Sequence, residues 1–562
     1  MNAAAPRRTT DAFRVVCAIV PALLAASHAT NVADAARDRG VCRVLGLHAQ
    51  PWRALDAAVG VLLAPLPVGT LAARAALGGT LVVAAAGVLL FDIARHLLRA
   101  RFEAGTLGDA VAAIAASAAL VAAPWQLEIT SVGSAATGAT LILLALSLAM
   151  RATDSASPRD WRFVAAALGL AMGQEPSVFV CAIAASAACV AVTARGRASF
   201  GLAVRSDGRA MAAFFAAGLA PLVVAALQMR LGGARCPGPP LEPWGPGGAA
   251  SPLSFAREEI GPVLTLLAVG GAAMAGWAER ARGAAGGLIA IVVVGGICVS
   301  MGAPAGPDVF AAAVLAACGA TAVLAVLVMF AIVQTVARAQ VPLARTAGAL
   351  FVVLELVLPV EAADEALARV EKRCSDAASA WDDIAWGTLE PRTVVLIDDE
   401  RVRERAAAAD AQALLRSDIV MVGGKGQSGI RGGPFATDLV PLWRDLALSG
   451  VPSEASLSAL ASLRPVVASY DPAWGPAIGR HLVPSAILDQ VEPEPRAASD
   501  RRRAFDAFAA DRQELHVRLA CDPELSAATA SLLRARARLL GSIGEREVGE
   551  RAAADVRVFE HP

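Results

Sequence analysis

The first 362 residues are built from apolar runs of about twenty residues, each long enough to cross roughly 30 Å of hydrocarbon as one helix, separated by short arginine clusters. The runs lie at 13–32, 70–93, 107–123, 130–150, 163–194, 209–229, 260–277, 285–301, 308–336 and 343–360. Composition agrees: 56% of the 562 residues are hydrophobic and only 18% charged, with a mean hydropathy of +0.55. These values exclude an ordinary water-soluble protein. The formal net charge is zero, so no electrostatic case exists for a nucleic-acid partner. Residues 1–35 imitate a secretory signal, with Arg7 and Arg8 before an apolar stretch. The many runs that follow favour a first membrane anchor instead.

Arginine placement gives the topology. Positive charge marks the cytoplasmic side of a span, and it gathers at 7–8, 95–101, 151–162, 195–209, 280–282 and 338–345. The segments around Trp125 and around Ala303-Pro304 hold no Lys or Arg and suit the opposite side as loops. The alternation holds only if 163–194 enters and returns as two short helices, turning at Gln174-Glu175-Pro176-Ser177. The expectation is about eleven membrane helices, the N-terminus cytoplasmic and the C-terminus outside. Segments 33–69, 174–177 and 230–259 then share the outer face.

Alanine and glycine crowd these runs. Small residues allow helices to approach closely in a bilayer, and the base composition of a GC-rich genome has the same effect. The nine cysteines fall mostly inside the runs, where they act as small apolar filling. Cys42 with Cys236, and Cys374 with Cys521, lie in segments expected outside, and either pair is free to form a disulfide there. The cysteine spacing matches no zinc site, so neither metal nor cofactor is expected.

From 363 to 562 the chain reads as a soluble α/β domain. Arg392–Ile397 is a buried strand, 400–415 a helix and 419–422 a second strand, a strand–helix–strand unit. Residues 465–469 form a third strand, while 501–519 and 524–543 are helical. Gly424-Lys-Gly-Gln-Ser-Gly429 matches a phosphate-loop pattern in letters only, because Ile430-Arg431-Gly432-Gly433-Pro434 is no helix start. It reads as a plain loop.

The segment after the first anchor carries a further pattern: Asp34-Ala-Ala-Arg37, then Leu45-Gly-Leu47, His48-Ala-Gln-Pro-Trp52, Leu66-Pro-Val-Gly69 and Arg74. Trp125 and Leu168-Gly-Leu-Ala-Met-Gly-Gln-Glu-Pro-Ser177 follow in order. This resembles a bacterial family of polytopic membrane proteins related to GT-C glycosyltransferases, the protein O-mannosyltransferase-like proteins. The resemblance implies a GT-C-like transmembrane domain at 1–362 and an extracytoplasmic domain at 363–562, in the bacterial inner membrane. It implies transfer of a sugar from a polyprenyl-phosphate donor to a protein or lipid acceptor at the outer face. Such transfer needs a carboxylate to deprotonate the acceptor and cations to hold the leaving phosphate.

Asp34 stands at the family's position for the base, with a solvated loop carboxylate as the other reading. Arg74, Glu175, His48 and Arg37 are the substrate-binding candidates, with Glu128 behind them. Arg74 either meets phosphate or snorkels to the interface. Glu175 pairs with Arg74 or Arg37, lines the donor site, or sits in interfacial water. The alternative is a membrane scaffold that keeps the fold without catalysis and binds an envelope partner through its tail. A transporter is disfavoured, since mid-span acidic residues are nearly absent.

Overall fold

The computed structural model describes residues 5–28, 53–102, 105–130, 135–155, 157–232, 260–301, 311–338, 360, 363–368, 375–397, 399–411, 415–423, 439–470, 472–520 and 522–560. Asp34, Arg37, His48, the 424–429 loop, the expected span at 343–360 and Cys42, Cys236, Cys374 and Cys521 lie outside the described residues.

The apolar half is entirely helical among the described residues. Its helices are α1 (Ala5–Ser27), α2 (Ala54–Leu63), α3 (Leu71–Arg101), α4 (Thr106–Val121), α5 (Ala123–Ile129), α6 (Ala136–Ser155) and α7 (Asp160–Gln174). Then come α8 (Pro176–Ala191), α9 (Ala194–Gly218), α10 (Ala220–Gly232), α11 (Pro262–Gly276), α12 (Glu279–Met301) and α13 (Ala311–Arg338). Six are long and apolar enough to cross a membrane: Thr9–Ser27, Ala72–Arg101, Ala136–Ser155, Ala194–Leu227 (α9 and α10 together), Ala281–Ser300 and Ala311–Val336. The pair α4 and α5, bent by 59°, makes a seventh if it is one span. The chain is a multi-pass membrane protein. The expected eleven crossings are not shown, because α7, α8 and α11 are short.

Two segments expected as loops are helices. Residues 54–63 form α2, and Trp125 sits fully buried in α5, its indole Nε1 donating to the Leu315 carbonyl at 3.1 Å. An apolar residue with one polar handle stays inside once that handle is bonded. Helix α13 is the hub of the bundle, packing on α3, α4, α6, α11 and α12.

Glycine explains part of that closeness. A Cβ built on Gly87 would lie 2.1 Å from the Cys17 carbonyl oxygen, and one on Gly169 would lie 2.2 Å from that of Phe215. At these crossings the small residue is a packing requirement.

One end of the bundle collects ion pairs. Arg14 meets Asp92 at 2.9 Å, and Arg95 donates to Asp109 at 2.8 Å, whose other oxygen accepts from Thr10. Arg162 pairs with Asp207 at 2.8 Å. Each carboxylate lies at the same end as the arginine clusters, so the pairs neutralise charge where the helices leave the hydrocarbon.

The tail opens with α14 (Ser375–Asp382) and forms a five-stranded sheet of order β2-β1-β3-β5-β4, with β1 (Val394–Ile397), β2 (Val420–Gly423), β3 (Val466–Ala468), β4 (Leu482–Pro484) and β5 (Asp489–Val491). β1 is parallel to β2 and β3, as the sequence pattern implies, while β5 is antiparallel to β3 and β4. Val395 and Ile397 face α15 (Glu400–Ala411) through Val402 and Ala406. Val394 and Leu396 face Leu442, Leu446, Leu457 and Leu460 on α16 (Val440–Ser449) and α17 (Glu454–Leu463). Helices therefore cover both faces, which parallel strands require. The predicted helix at 501–519 breaks at Phe508 into α19 (Ala498–Ala507) and α20 (Ala509–Leu519), following the one-turn α18 (Gly475–Gly479). After them come α21 (Pro523–Ser542) and α22 (Arg546–Glu560), which pack on each other.

Two half-buried tail carboxylates carry a pH signature. The Arg392 backbone N–H and the Arg416 side chain hold Asp418 below the ordinary carboxylate value. The Ser453 and Ser456 hydroxyls, with the Ser453 N–H, do the same for Asp445. Both titrate lower folded than unfolded. Their stabilisation is therefore complete above about pH 4 and drains away as pH falls through the folded values. The doubly substituted Asp418→Asn/Asp445→Asn chain should lose less tail stability than wild type between pH 5 and pH 3, by hydrogen exchange of the tail amides. Parallel loss in both proteins would refute the assignment.

Candidate functional site

At the end of the bundle away from the ion pairs, the helical hairpin α7–α8 turns at Glu175. Pro176 at the first position of α8 supplies no N–H, and Glu175 is extended (φ −168°, ψ 144°), so the break is written into the sequence. Helix α7 has 15 residues and is about 22 Å long, short of the roughly 30 Å hydrocarbon thickness. The polar groups at its apex meet protein partners.

Helix α2 provides them. The Arg53 N–H donates to the Gln174 carbonyl at 2.8 Å, and the Arg53 guanidinium lies 3.6 Å from the Glu175 carboxylate. Gln174 Nε2 donates to Asp56 Oδ2 at 2.7 Å. All four residues are buried, and Gln174 Oε1 accepts no hydrogen bond. Arg53 adopts a left-handed backbone (φ 61°, ψ 38°), which is uncommon for a non-glycine residue and is held by its surroundings. Arg53, which opens α2, is thus fastened to the hairpin apex.

The structure corrects the reading of Glu175. It is buried in protein and not in water, and its carboxylate lies 3.6 Å from the Arg53 guanidinium, since a buried charge calls for a partner. Any contact with Arg37 falls outside the described residues. Arg74 turns its guanidinium onto backbone carbonyls: Nη1 donates to Ala64 and to Leu66 (3.0 Å), and Nε to Thr70 at 3.3 Å. Among the described residues Nη2 has no partner. Glu128 accepts from the Ala135 N–H at 3.2 Å. Sequence reasoning missed Arg53 and Asp56. Their only local signal was two charged residues opening an apolar stretch.

The described cluster offers a cation, two carboxylates and an open amide oxygen. No group of three or more His, Cys, Asp or Glu gathers to hold a metal among the described residues.

No family model matches the chain, and no curated protein matches it. Among solved structures it is similar to the Archaeoglobus fulgidus oligosaccharyltransferase in the apo form, at 13% identity over 81% of this chain and 69% of that one (TM-score 0.42). It is similar also to ArnT from Cupriavidus metallidurans in the apo state, at 16% identity over 84% of this chain and 96% of that one (TM-score 0.46).

Proposed function

We propose that the chain is a GT-C-type membrane glycosyltransferase that moves a sugar from a polyprenyl-phosphate donor to a protein or lipid acceptor. In this reading residues 1–362 are the transmembrane domain in the bacterial inner membrane, with a cytoplasmic N-terminus. Residues 363–562 form the extracytoplasmic α/β domain. The observation that carries the reading is the fastening of Arg53 and Asp56 to Gln174 and Glu175. It fixes the start of α2 to the apex of the α7–α8 hairpin, and in this reading the lipid-linked donor and the water-borne acceptor meet at that end of the bundle.

The chemistry follows from residue types. Asp34 takes the proton from the acceptor hydroxyl, whose oxygen attacks the anomeric carbon. The bond from that carbon to the phosphate oxygen breaks, and the lipid phosphate leaves with the negative charge. Arg74 presents Nη2 to that charge, with Arg37 and His48 as further donors. Glu175 acts through Arg53, shaping the floor of the site.

The test is sugar transfer from a polyprenyl-phosphate donor in membranes carrying wild type or Asp34→Asn. Loss of one base typically costs 10²–10⁴-fold, with equal amounts of folded protein. Equal transfer by both proteins would remove Asp34 from the mechanism.

A second reading, a non-catalytic scaffold whose tail binds an envelope partner, draws on one observation. Arg74 gives Nη1 and Nε to carbonyls, and Glu175 is engaged with Arg53. It is favoured if wild type transfers nothing while deletion of 361–562 abolishes capture of that partner.

A further inference from the structure

We propose that the first part of α9, residues 194–209, binds the phosphate headgroup of an anionic phospholipid in the leaflet at the arginine-rich end, through Arg205 and Arg209. The site is independent of the sugar-transfer reading and stands without it.

Length sets this helix apart. Together α9 and α10 give a candidate span of 34 residues, Ala194–Leu227. At 1.5 Å per residue it is about 51 Å long, against roughly 30 Å of hydrocarbon. Charge shows which part is in excess. The twenty residues from Ala210 to Met229 hold no Asp, Glu, Lys or Arg, and twenty suffice for a crossing. Arg195, Arg197, Arg205, Asp207 and Arg209 all precede them.

The excess does not project into water. Arg195 Nη2 donates to the Asp154 carbonyl, one residue before the end of α6. Asp207 accepts from Arg162 at 2.8 and 2.9 Å, in the first turn of α7. These two points are twelve residues, about 18 Å, apart along α9, yet both lie where α6 gives way to α7 across a four-residue link. Between them Trp161 Nε1 donates to Ser199 Oγ at 3.0 Å, and that hydroxyl donates to the Ala152 carbonyl at 3.1 Å. The stretch therefore runs across the end of the bundle, where the helices leave the hydrocarbon.

Its sides differ. Gly196, Ser199 and Ala203 are buried. At 100° per residue, Arg197, Phe200 and Val204 share one flank, while Arg195, Leu202, Arg205 and Arg209 share the other. Phe200 is 40% exposed, Leu202 54% and Val204 48%. Arginines interleaved with exposed apolar residues characterise a helix at the headgroup layer, where the apolar side chains reach acyl chains and the guanidiniums stay level with the phosphates.

The unneutralised charge selects the ligand. Arg195 and Arg197 are engaged with the Asp154 and Ala191 carbonyls, and Arg162 answers Asp207. Among the described residues Arg205 and Arg209 have no hydrogen-bond or ion-pair partner, and both are exposed. Four residues apart, they stand side by side on the helix, with Cβ atoms about 5–6 Å from each other. Two guanidiniums at that spacing can close on one phosphate with charge-assisted hydrogen bonds. A zwitterionic headgroup offers a phosphate already balanced by its own ammonium, so the pair favours a lipid with net negative charge.

The experiment titrates the full chain, purified in mild detergent, with phosphatidylglycerol or phosphatidylcholine and counts bound lipid by native mass spectrometry. Arg205→Gln/Arg209→Gln removes the pair. Arg101→Gln/Arg338→Gln removes equal charge from the same end of the bundle, at the ends of α3 and α13. All four residues are exposed, so both variants should fold. Wild type should retain phosphatidylglycerol in preference to phosphatidylcholine. The first variant should bind phosphatidylglycerol about thirty-fold more weakly, about five-fold for each arginine, and the second should match wild type. Equal weakening in both variants would show attraction by overall charge, and no weakening in the first would leave the pair idle; either result overturns the proposal. Displacement of the lipid by an equal concentration of glycerol 3-phosphate would identify a soluble phosphate as the ligand and overturn it as well.

Discussion

Gly271→Leu should abolish the assembled bundle, and even Gly271→Ala should destabilise it by about 3 kcal/mol or more, the upper end of overpacking costs. A Cβ on Gly271 would lie 1.8 Å from the Leu324 carbonyl oxygen and 2.7 Å from its carbon. Both atoms belong to a helix backbone, so no rotamer change relieves the clash. Helices α11 and α13 would have to separate by more than an ångström. Because α13 is the hub of the bundle, that separation spreads to α3, α4, α6 and α12. In a bilayer, close packing of helices is much of what holds them together, since lipid tails are as apolar as leucine. Gly276 lies on the same helix with nothing within 4 Å of its Cβ position, and Gly276→Ala should be neutral. The measurement is the yield of monodisperse protein in mild detergent and its melting midpoint. Equal behaviour of Gly271→Ala and Gly276→Ala would show that the crossing is not close packed.

How far the sequence revealed these features depended on the range of the interactions that make them. Helices α3, α6, α12 and α13 follow from hydropathy alone, because burying about twenty apolar residues in lipid is a local decision. The turn at Gln174–Ser177 was readable since Pro176 and the arginine alternation both demand it. Strands β1, β2 and β3 appear as short β-branched runs. Strands β4 and β5 have three residues each and no apolar alternation to betray them; their hairpin is fixed from outside by Arg536, some 47 residues further on. The site failed for the same reason. Gln174 and Asp56 are 118 residues apart, and nothing near either position announces the bond. The abundance of glycine was ambiguous until the Gly271–Leu324 and Gly87–Cys17 approaches showed which positions need it.

Arg536→Met should cost the tail about 3–5 kcal/mol, the penalty of leaving one member of a buried ion pair alone. Arg536 and Asp489 are 1% and 4% exposed at the side chain and 2.7 Å apart. The guanidinium also donates to the carbonyls of Ser485, Ile487 and Leu488, each at 3.0 Å, and so fixes the β4–β5 hairpin to α21. Methionine fills much of the volume but returns none of these donors. Burial already pushes the Asp489 carboxyl up from its ordinary value, with Arg536 opposing. Without Arg536 that carboxyl titrates higher still, and its protonated form is favoured in the folded state. The sign follows: a carboxyl raised in the folded protein loses stability as pH rises through its folded value and regains it as pH falls. The deficit of Arg536→Met should therefore shrink toward acidic pH. Replacing both residues, as Arg536→Met/Asp489→Leu, should recover part of the loss at pH 7, because no charge is then left buried, although the three carbonyls stay without their donor. Hydrogen exchange at β5 and α21 in the full chain reads both effects. A pH-independent deficit, or a double variant no better than the single, would mean that Arg536 acts only through the carbonyls and that Asp489 is a bystander.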